Sequence, residues 1–221
     1  MIGQDRFGRK MKPALIPHKA GEVKYIIPKD ITLLIAHPDD EALFCWPALD
    51  RVKRIICASN DSQNPERAWC KDRGLCLEEV GALLGAEVIC LPMHSEFYRL
   101  PTRDESLKCL ASTLLRHLAA AETVFTHNAW GEYGNIDHIL MHHVARVWQA
   151  ETRRELLVSD IATEINWLPV RAWCQSKTSI PSPSQHEIDR PLFDRIKAIY
   201  DARGCWTWAW PPVEKCRVYS L

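Results

Sequence analysis

The segment "LLIAHPDDEALF", residues 33–44, joins an apolar, partly β-branched run to a cluster of ionisable side chains. The run has the character of a buried strand in a parallel sheet. His37 and three consecutive carboxylates, Asp39, Asp40 and Glu41, follow it directly. Neighbouring carboxylates repel one another unless a cation, a proton or a basic side chain compensates, and no Lys or Arg is near them in sequence. The segment therefore predicts a strand that leads into a site for a positive charge.

Apolar runs of the same kind recur along the chain, with helical segments between them. The predicted strands are "ITLLIA", "RIICAS", "EVICLP" and "TVFTH", residues 31–36, 54–59, 87–92 and 123–127. Residues 105–120 have helical periodicity and open with the capping-box pattern Thr102-x-x-Glu105. Residues 65–84 also read as a helix, and Gly85 is a typical helix stop. This alternation predicts an α/β, Rossmann-like three-layer fold, in which helices cover both faces of a mostly parallel sheet.

Composition excludes several classes of protein. The chain has 28 basic and 28 acidic residues and no basic stripe, so we expect no nucleic-acid partner. No apolar stretch is long enough to cross a membrane, and residues 1–25 lack the apolar core of a signal peptide. The nine cysteines are odd in number and never spaced as Cys-x-x-Cys, which favours reduced thiols in the cytoplasm over disulfides or a zinc ribbon. We expect residues 1–221 to form a single globular domain.

Two polar segments directly follow predicted strands. "HPDDE" follows the first strand, and "HNAWGEYGNIDH", residues 127–138, follows the fourth. Because ligands in such folds bind beyond the carboxyl ends of the strands, we expect both segments at the functional site. Residues 173–190 are rich in Pro and Ser and predict a surface loop, and "LFDRIKAIYDARG", residues 192–204, predicts a last helix. The tryptophans that follow are interpreted as packing of a core or a lid: Trp206, Trp208 and Trp210.

His37 and Asp40 are candidate metal ligands. They lie three residues apart across a strand-to-helix turn, so their side chains can converge, and a His with a carboxylate suits a divalent metal such as zinc. A catalytic zinc needs a third protein ligand, for which His138 is the candidate. In the helix predicted around it, His138 and His142 fall nearly opposite an apolar stripe formed by Ile136, Leu140, Val144 and Val147. A solvated histidine at a helix start is therefore the alternative for His138, and we interpret His142 as a surface or structural residue.

Two motifs connect the chain to a known family. "AHPDDE" after a strand, with a later G-x-Y-G-x-x-D-H, resembles the LmbE/PIG-L family of zinc-dependent N-deacetylases. The stretch "RGLCLEEVGALLGAEVICLP", residues 73–92, is similar to that family's Arg-containing helix, which ends in Leu-Gly and leads into a strand. The resemblance extends in outline from about residue 31 to residue 150. It implies an amide hydrolase with one zinc ion per chain, or another divalent metal in its place.

The resemblance also implies roles for individual residues. Carried over by position, it makes His37, Asp40 and His138 the zinc ligands. It makes Asp39 the general base, which takes a proton from the zinc-bound water without binding the metal itself. Tyr133 occupies the position of a family Tyr that would polarise the carbonyl oxygen together with zinc.

Other positions match the family less closely. Arg73 corresponds to a substrate-contacting Arg, although Cys76 replaces the Glu of the usual R-x-x-E pattern. Asn135 stands where the family has a His that stabilises the developing oxyanion; an amide can still donate a neutral hydrogen bond there but supplies no charge. We expect Asp137 to orient His138 or to cap its helix. Glu41 is assigned to the first turn of a helix, where a carboxylate suits the dipole.

The resemblance therefore implies an enzyme that removes an N-acetyl group from an amino sugar, such as N-acetylglucosamine, or from a sugar conjugate. Tryptophan side chains that can stack on a sugar ring are Trp130, Trp206 and Trp208, although packing explains them equally well. A non-catalytic zinc- or sugar-binding relative of the family is the main alternative, because of Asn135. A Rossmann-type nucleotide-binding protein also fits the strand pattern but would need a G-x-G-x-x-G after a strand, which the sequence lacks.

Overall fold

A mixed sheet that contains the four predicted strands is the centre of the fold. The computed structural model describes residues 16–18, 22–24, 26–60, 71–93, 103–160, 184–209 and 211–221. In chain order its strands are β1 (Ile16–His18), β2 (Glu22–Lys24), β3 (Ile31–Ile35), β4 (Val52–Ser59), β5 (Glu87–Met93), β6 (Thr123–Thr126), β7 (Glu155–Asp160), β8 (Ser184–Glu187) and β9 (Lys215–Ser220). Within the described residues, β1 and β2 pair with each other, and the other strands form one sheet in the order β5-β4-β3-β6-β7-β9-β8.

The direction of the strands decides where a ligand can bind. Strands β5, β4, β3, β6 and β7 are parallel to one another, whereas β9 is antiparallel to both β7 and β8. The strand order reverses at β3, which has β4 on one side and the later strand β6 on the other. The carboxyl ends of β3 and β6 therefore border a crevice at the switch point, which is where open α/β sheets bind their ligands.

Helices cover both faces of the sheet. They are α1 (Asp40–Leu43), a 3₁₀ helix (Trp46–Arg51), α2 (Arg73–Leu84), α3 (Arg103–Leu118), α4 (Gly131–Gly134), α5 (Ile136–Thr152) and α6 (Arg190–Asp201). Leu33 and Ile35 of β3 pack in one apolar core with side chains of α2 and α6, and Leu34 packs in a second core with side chains of α3 and α5. Because alternate residues of a strand point to opposite faces, β3 is buried on both sides. The predicted three-layer α/β fold is confirmed.

The predicted elements differ from the observed ones mainly at their ends. Of the helix predicted over residues 65–84, the structure has α2 from Arg73 to Leu84, and residues 61–70 lie outside the described part of the chain. Gly85 caps the end of α2 as predicted, with a left-handed φ of 67°. Thr102 of the predicted capping box also lies outside the described residues. The last helix, α6, is confirmed. The surface-loop prediction for residues 173–190 is wrong where β8 pairs with β9, and its part before residue 184 is not described.

Helix α5 buries only part of its predicted apolar stripe, including Val144, in the core. Ile136 and Val147 are 44% and 45% exposed, whereas His138 is fully buried and His142 nearly so. The reason is that the first turns of α5 pack against the polar loops at the carboxyl edge of the sheet, and only its later turns reach the apolar core. The interpretation of His138 as a solvated residue is therefore wrong.

A helix that crosses a bilayer needs about 20 predominantly apolar residues. Across the described part of the chain, no helix is both long enough and apolar enough to do so.

Candidate active site

The turn after β3 brings three ionisable side chains to the end of the strand. His37, Asp39 and Asp40 are all buried there. Asp39 has a φ of 98°, a left-handed conformation that non-glycine residues rarely adopt, and it immediately precedes α1. The backbone N–H of His37 donates to Oδ2 of Asp40 over 2.7 Å and so fixes the Asp40 carboxylate against the turn. A strained residue at such a turn is a recurrent feature of functional sites.

His138 of α5 completes a three-residue cluster around Asp40. Nδ1 of His37 lies 3.4 Å from Oδ2 of Asp40, and Nε2 of His138 lies 3.5 Å from Oδ1 of the same carboxylate. One ligand atom from each of the three residues lies within 4.8 Å of the other two. This donor set, two imidazole nitrogens and one carboxylate oxygen, is the set that catalytic zinc sites use.

The ring of His37 is held from its other side by Asp137. Nε2 of His37 lies 2.9 Å from Oδ2 of Asp137, which is also buried. Burial opposes the imidazolium, but Asp137 and Asp40 outweigh it and raise the pKa of His37 to about 9. The cluster thus favours a positive charge. The expectation that Asp137 orients His138 or caps its helix is wrong: Asp137 contacts His37, and the side chain of Asn135 caps α5 by accepting the N–H of Asp137.

His138 is oriented by a buried carboxylate that follows β6. Nδ1 of His138 lies 2.7 Å from Oε2 of Glu132. Burial opposes ionisation of Glu132, but His127 and His138 lower its pKa to about 2, so it is a carboxylate at neutral pH. Nδ1 of His138 therefore donates, and its Nε2 has no hydrogen. That buried Nε2 has no hydrogen-bond partner among the described residues, which fits a metal ligand.

A second group of potential ligands overlaps the first. It consists of His127, Glu132 and His138. The atoms of this group already hydrogen-bond to one another, because Oε2 of Glu132 lies 3.1 Å from Nδ1 of His127 and 2.7 Å from Nδ1 of His138. We therefore assign the candidate metal centre to the group around Asp40.

Asp39 is held on both carboxylate oxygens. Nη2 of Arg73 donates to Oδ1 over 2.7 Å, and Arg73 also donates to the carbonyl oxygen of Pro38. The hydroxyl of Thr207, from the segment after α6, donates to Oδ2. Burial raises the pKa of Asp39, while Arg73 acts in the opposite direction. The side chain therefore lies beside the candidate ligands with a fixed orientation, as a general base requires.

An aromatic wall stands next to the cluster. The ring of Tyr133 lies edge-on to His138 at 5.6 Å between centroids, and the ring of Trp208 lies 5.9 Å from that of Tyr133. Both rings also approach Phe44, at 6.1 and 5.8 Å. Burial raises the pKa of Tyr133, so its hydroxyl is a neutral phenol, and its oxygen accepts a hydrogen bond from Nδ2 of Asn135 over 3.2 Å.

The remaining predicted residues have other surroundings. Glu41 lies in the first turn of α1, as predicted, and it also accepts hydrogen bonds from the Tyr200 hydroxyl and from the N–H of Asp39. It is fully buried, and burial raises its pKa to about 8. Trp130 is buried at the start of α4, and its indole N–H has no partner among the described residues. Trp206 packs edge-on against Phe193, while Trp210 is outside the described residues.

The sequence interpretation missed three residues of this site: His127, Glu132 and Thr207. The strand predicted over residues 123–127 ends one residue earlier, at Thr126, so His127 begins the loop that carries the site. Glu132 stands inside the quoted G-x-Y-G motif, and its charge beside two histidines was an available signal. No local pattern indicates Thr207, whose contact with Asp39 spans 168 residues of sequence.

Solved structures with a similar fold are deacetylases. The A40926 pseudoaglycone deacetylase Dbv21 is 16% identical, with a TM-score of 0.56 over 80% of this chain and 82% of its own. A deacetylase of teicoplanin biosynthesis in complex with teicoplanin is 12% identical, with a TM-score of 0.56 over 86% and 98% of the two chains. The zinc-inhibited form of the teicoplanin deacetylase Orf2 is 13% identical, with a TM-score of 0.54 over the same shares. No protein-family model and no curated protein matches the sequence. At these identities, the similarity shows the α/β fold that this chain shares with those deacetylases.

Proposed function

We propose that the protein is a metal-dependent N-deacetylase of the LmbE/PIG-L type, which hydrolyses the N-acetyl group of an amino sugar or a sugar conjugate. The observation that carries the proposal is the buried Nε2 of His138, which has no hydrogen-bond partner among the described residues and faces Asp40 beside His37. The oriented carboxylate of Asp39 next to this cluster supports a hydrolytic function over metal storage. The shared fold with deacetylases supports the same reaction class.

The residues present fit a zinc ion. His37, Asp40 and His138 would hold it, and both imidazole rings are already oriented through their other nitrogen by a carboxylate. When bound, zinc supplies Lewis acidity, which lowers the pKa of water from about 16 to about 7 and polarises an amide carbonyl.

Asp39 is the general base in this proposal. Its carboxylate takes the proton from the attacking water and delivers it to the nitrogen of the departing amine. Arg73 opposes the effect of burial on the pKa of Asp39 and, with Thr207, fixes the direction in which its oxygens point. A base held within reach of the water in this way contributes on the order of 100- to 10,000-fold to a rate.

Tyr133 stabilises the negative charge that develops on the carbonyl oxygen. A neutral phenol donates a hydrogen bond, and burial keeps Tyr133 in that form. Asn135 supports it, because its amide nitrogen donates to the phenol oxygen. In this arrangement Asn135 acts on the reaction through Tyr133, and the His of the related family is not needed to complete the hydrogen bond.

The substrate is proposed from the surroundings of the cluster and from the similar structures. One neighbour is a pseudoaglycone deacetylase and another is in complex with teicoplanin, so a sugar conjugate is an appropriate class to test. Trp208 offers an aromatic ring beside Tyr133 on which a sugar can stack. Arg73 and Trp130 remain proposed substrate contacts. We also propose a cytoplasmic location, because seven cysteines in the described residues are free thiols.

A non-catalytic zinc- or sugar-binding protein is the second candidate function. The observation that favours it is Asn135, whose amide oxygen caps α5 and whose nitrogen donates to Tyr133, so that neither group supplies a charge for an oxyanion. Such a protein would bind zinc and acetylated sugars without turnover.

Acetate release distinguishes the two candidates. The zinc-loaded protein is incubated with N-acetylhexosamines, their nucleotide-linked forms, their glycosides and N-acylated glycoconjugates, and released acid is measured. Asp39→Asn serves as the control, because it removes the base while leaving the ligand set intact. We expect acetate from at least one class, absent in Asp39→Asn and after chelation. Binding of an acetylated sugar without release of acid from any of these compounds would support the second candidate.

A further inference from the structure

Glu132 is a buried charge whose conformation is unusual. Its side chain is fully buried, and its backbone has φ 56° and ψ −63°, values that interrupt α4 and that L residues rarely adopt. The residue directly after it is Tyr133, and His138 follows six positions later. A buried ion in a strained conformation persists only where its surroundings hold it firmly.

The hydrogen bonds of Glu132 determine where two histidines carry their hydrogens. Oε1 accepts the backbone N–H of Asn128 over 3.1 Å. Oε2 lies within hydrogen-bond distance of Nδ1 of both His127 and His138. An ionised carboxylate only accepts hydrogen bonds, so both rings have a hydrogen on Nδ1.

The remaining nitrogens of the two rings differ in their surroundings. Nε2 of His127 accepts the backbone N–H of Ala36 over 3.1 Å, next to His37. A ring nitrogen that accepts the Ala36 N–H carries no hydrogen. The rings of His127 and His138 stack at 3.9 Å and 21°, which suits two neutral imidazoles. Nε2 of His127 lies 3.4 Å from Asp40, yet its lone pair is already engaged.

We propose that Glu132 is a positioning residue that selects the metal ligand from these two histidines. By accepting from both Nδ1 atoms it leaves an unprotonated Nε2 on each ring. His127 uses that nitrogen to hold the turn before His37, so His138 alone offers it to the cluster around Asp40. This inference rests on the proposed metal centre and extends it to residues that do not touch the metal.

The wild-type protein allows a direct test of the hydrogen positions. Two-dimensional NMR that correlates the ring nitrogens with the carbon-bound ring hydrogens identifies the protonated nitrogen of each histidine. We expect, in the chelated protein, a hydrogen on Nδ1 and none on Nε2 for His127 and His138. A hydrogen on Nε2 of His138, or two hydrogens on His127, would overturn the proposal. This measurement is independent of turnover. If the hydrogens lie on Nδ1 as expected but no acetate is released, only the proposed function is contradicted.

Glu132→Gln tests the consequence for metal binding. If the amide nitrogen faces the two rings, both Nδ1 atoms accept, the hydrogens move to Nε2, and that of His127 opposes the Ala36 N–H; if it faces Asn128, the amide opposes the Asn128 N–H. In either orientation His138 loses its charged acceptor, so the zinc dissociation constant, measured by competition with a chelator, should rise about 10- to 100-fold. Glu41→Gln is the matched control, because the Tyr200 hydroxyl can turn to donate or accept, and its zinc affinity should stay close to wild type.

The outcomes of this second test are also decisive. Weaker zinc binding in Glu132→Gln but not in Glu41→Gln supports the proposal, provided that circular dichroism shows both variants to be folded. Wild-type zinc affinity in a folded Glu132→Gln variant would overturn it. If Glu132→Gln does not fold, the NMR measurement on the wild type decides.

Discussion

The hydroxyl of Thr207 donates a hydrogen bond to Oδ2 of Asp39, while Arg73 holds Oδ1 of the same carboxylate. Thr207 belongs to the segment after α6, whereas Asp39 lies in the turn between β3 and α1, and Arg73 begins α2. The two contacts leave the Asp39 carboxylate little freedom to rotate. The segment after α6 therefore takes part in the site directly, and the neighbouring Trp208 extends it along Tyr133.

Thr207→Val should lower kcat about tenfold with little change in KM or zinc content. The substitution keeps the shape of the side chain and removes a hydrogen bond to a charged group, which is worth roughly 1.5 kcal/mol or more. Thr207→Ser retains the hydroxyl and should recover most of the rate. Steady-state kinetics of the three proteins on one substrate provide the measurement. An unchanged or higher kcat in Thr207→Val would mean that the hydroxyl does not position the base.

Asp39→Asn and Asp40→Asn should differ in zinc content. Asp39 is proposed to act on the water, so Asp39→Asn should retain zinc and lose most of kcat, by about 100-fold or more. Asp40 lies between His37 and His138, so Asp40→Asn should weaken zinc binding. Elemental analysis and acetate release on the same preparations provide both values. Equal loss of zinc in the two variants would contradict the division of roles.

Asn135→His should not increase kcat. Asn135 caps α5 through its oxygen and supports Tyr133 through its nitrogen, and an imidazole at this position is a weaker cap. We expect a loss of about 1 kcal/mol in the free energy of unfolding, measured with urea, and an equal or lower kcat. A gain of about tenfold or more in kcat is a substantial part of what an oxyanion donor contributes. It would contradict the prediction and show that the absence of the family's His slows the wild-type enzyme.

Acid should destabilise the wild type more than Glu132→Gln. The pKa of Glu132 is lowered from 4.5 to about 2, so its contribution to stability is complete above pH 4.5 and is lost as the pH falls towards 2. For a fully buried group this difference corresponds to a few kcal/mol. Urea unfolding of the chelated proteins at pH 6 and pH 3.5 should show a stability gap that narrows at the lower pH. A gap of the same size at both pH values would mean that folding does not lower the pKa of Glu132.

Local sequence patterns were sufficient for the four strands β5, β4, β3 and β6 of the sheet, but not for β7, β8 and β9. The apolar runs before His37 and His127 identify β3 and β6, because strands buried on both faces must be apolar over their whole length. The order of β3 and β6 then brings the two polar segments to one crevice. For this reason the convergence of His37, Asp40 and His138 was accessible from the sequence.

Periodicity failed where the surroundings of a helix are polar. The apolar stripe of α5 predicts His138 on an outer face, because such a stripe indicates the inner face only where that face is apolar. In the first turns of α5 the inner face carries the buried polar residues Asp137 and His138. The contacts of Glu132 and Thr207 depend on a strained backbone and on a distant segment, respectively. The charge of Glu132 is visible in the motif, but no short window of sequence indicates its strained backbone or the contact of Thr207 with Asp39.

Metal occupancy tests the central claim most directly. Elemental analysis should find close to one divalent ion per chain in the wild type and little in His138→Ala. His143→Ala is the matched control, because His143 is an exposed histidine on the same helix and should leave occupancy unchanged. The account predicts loss of the ion in the first variant only; equal occupancy in wild type, His138→Ala and His143→Ala would contradict it.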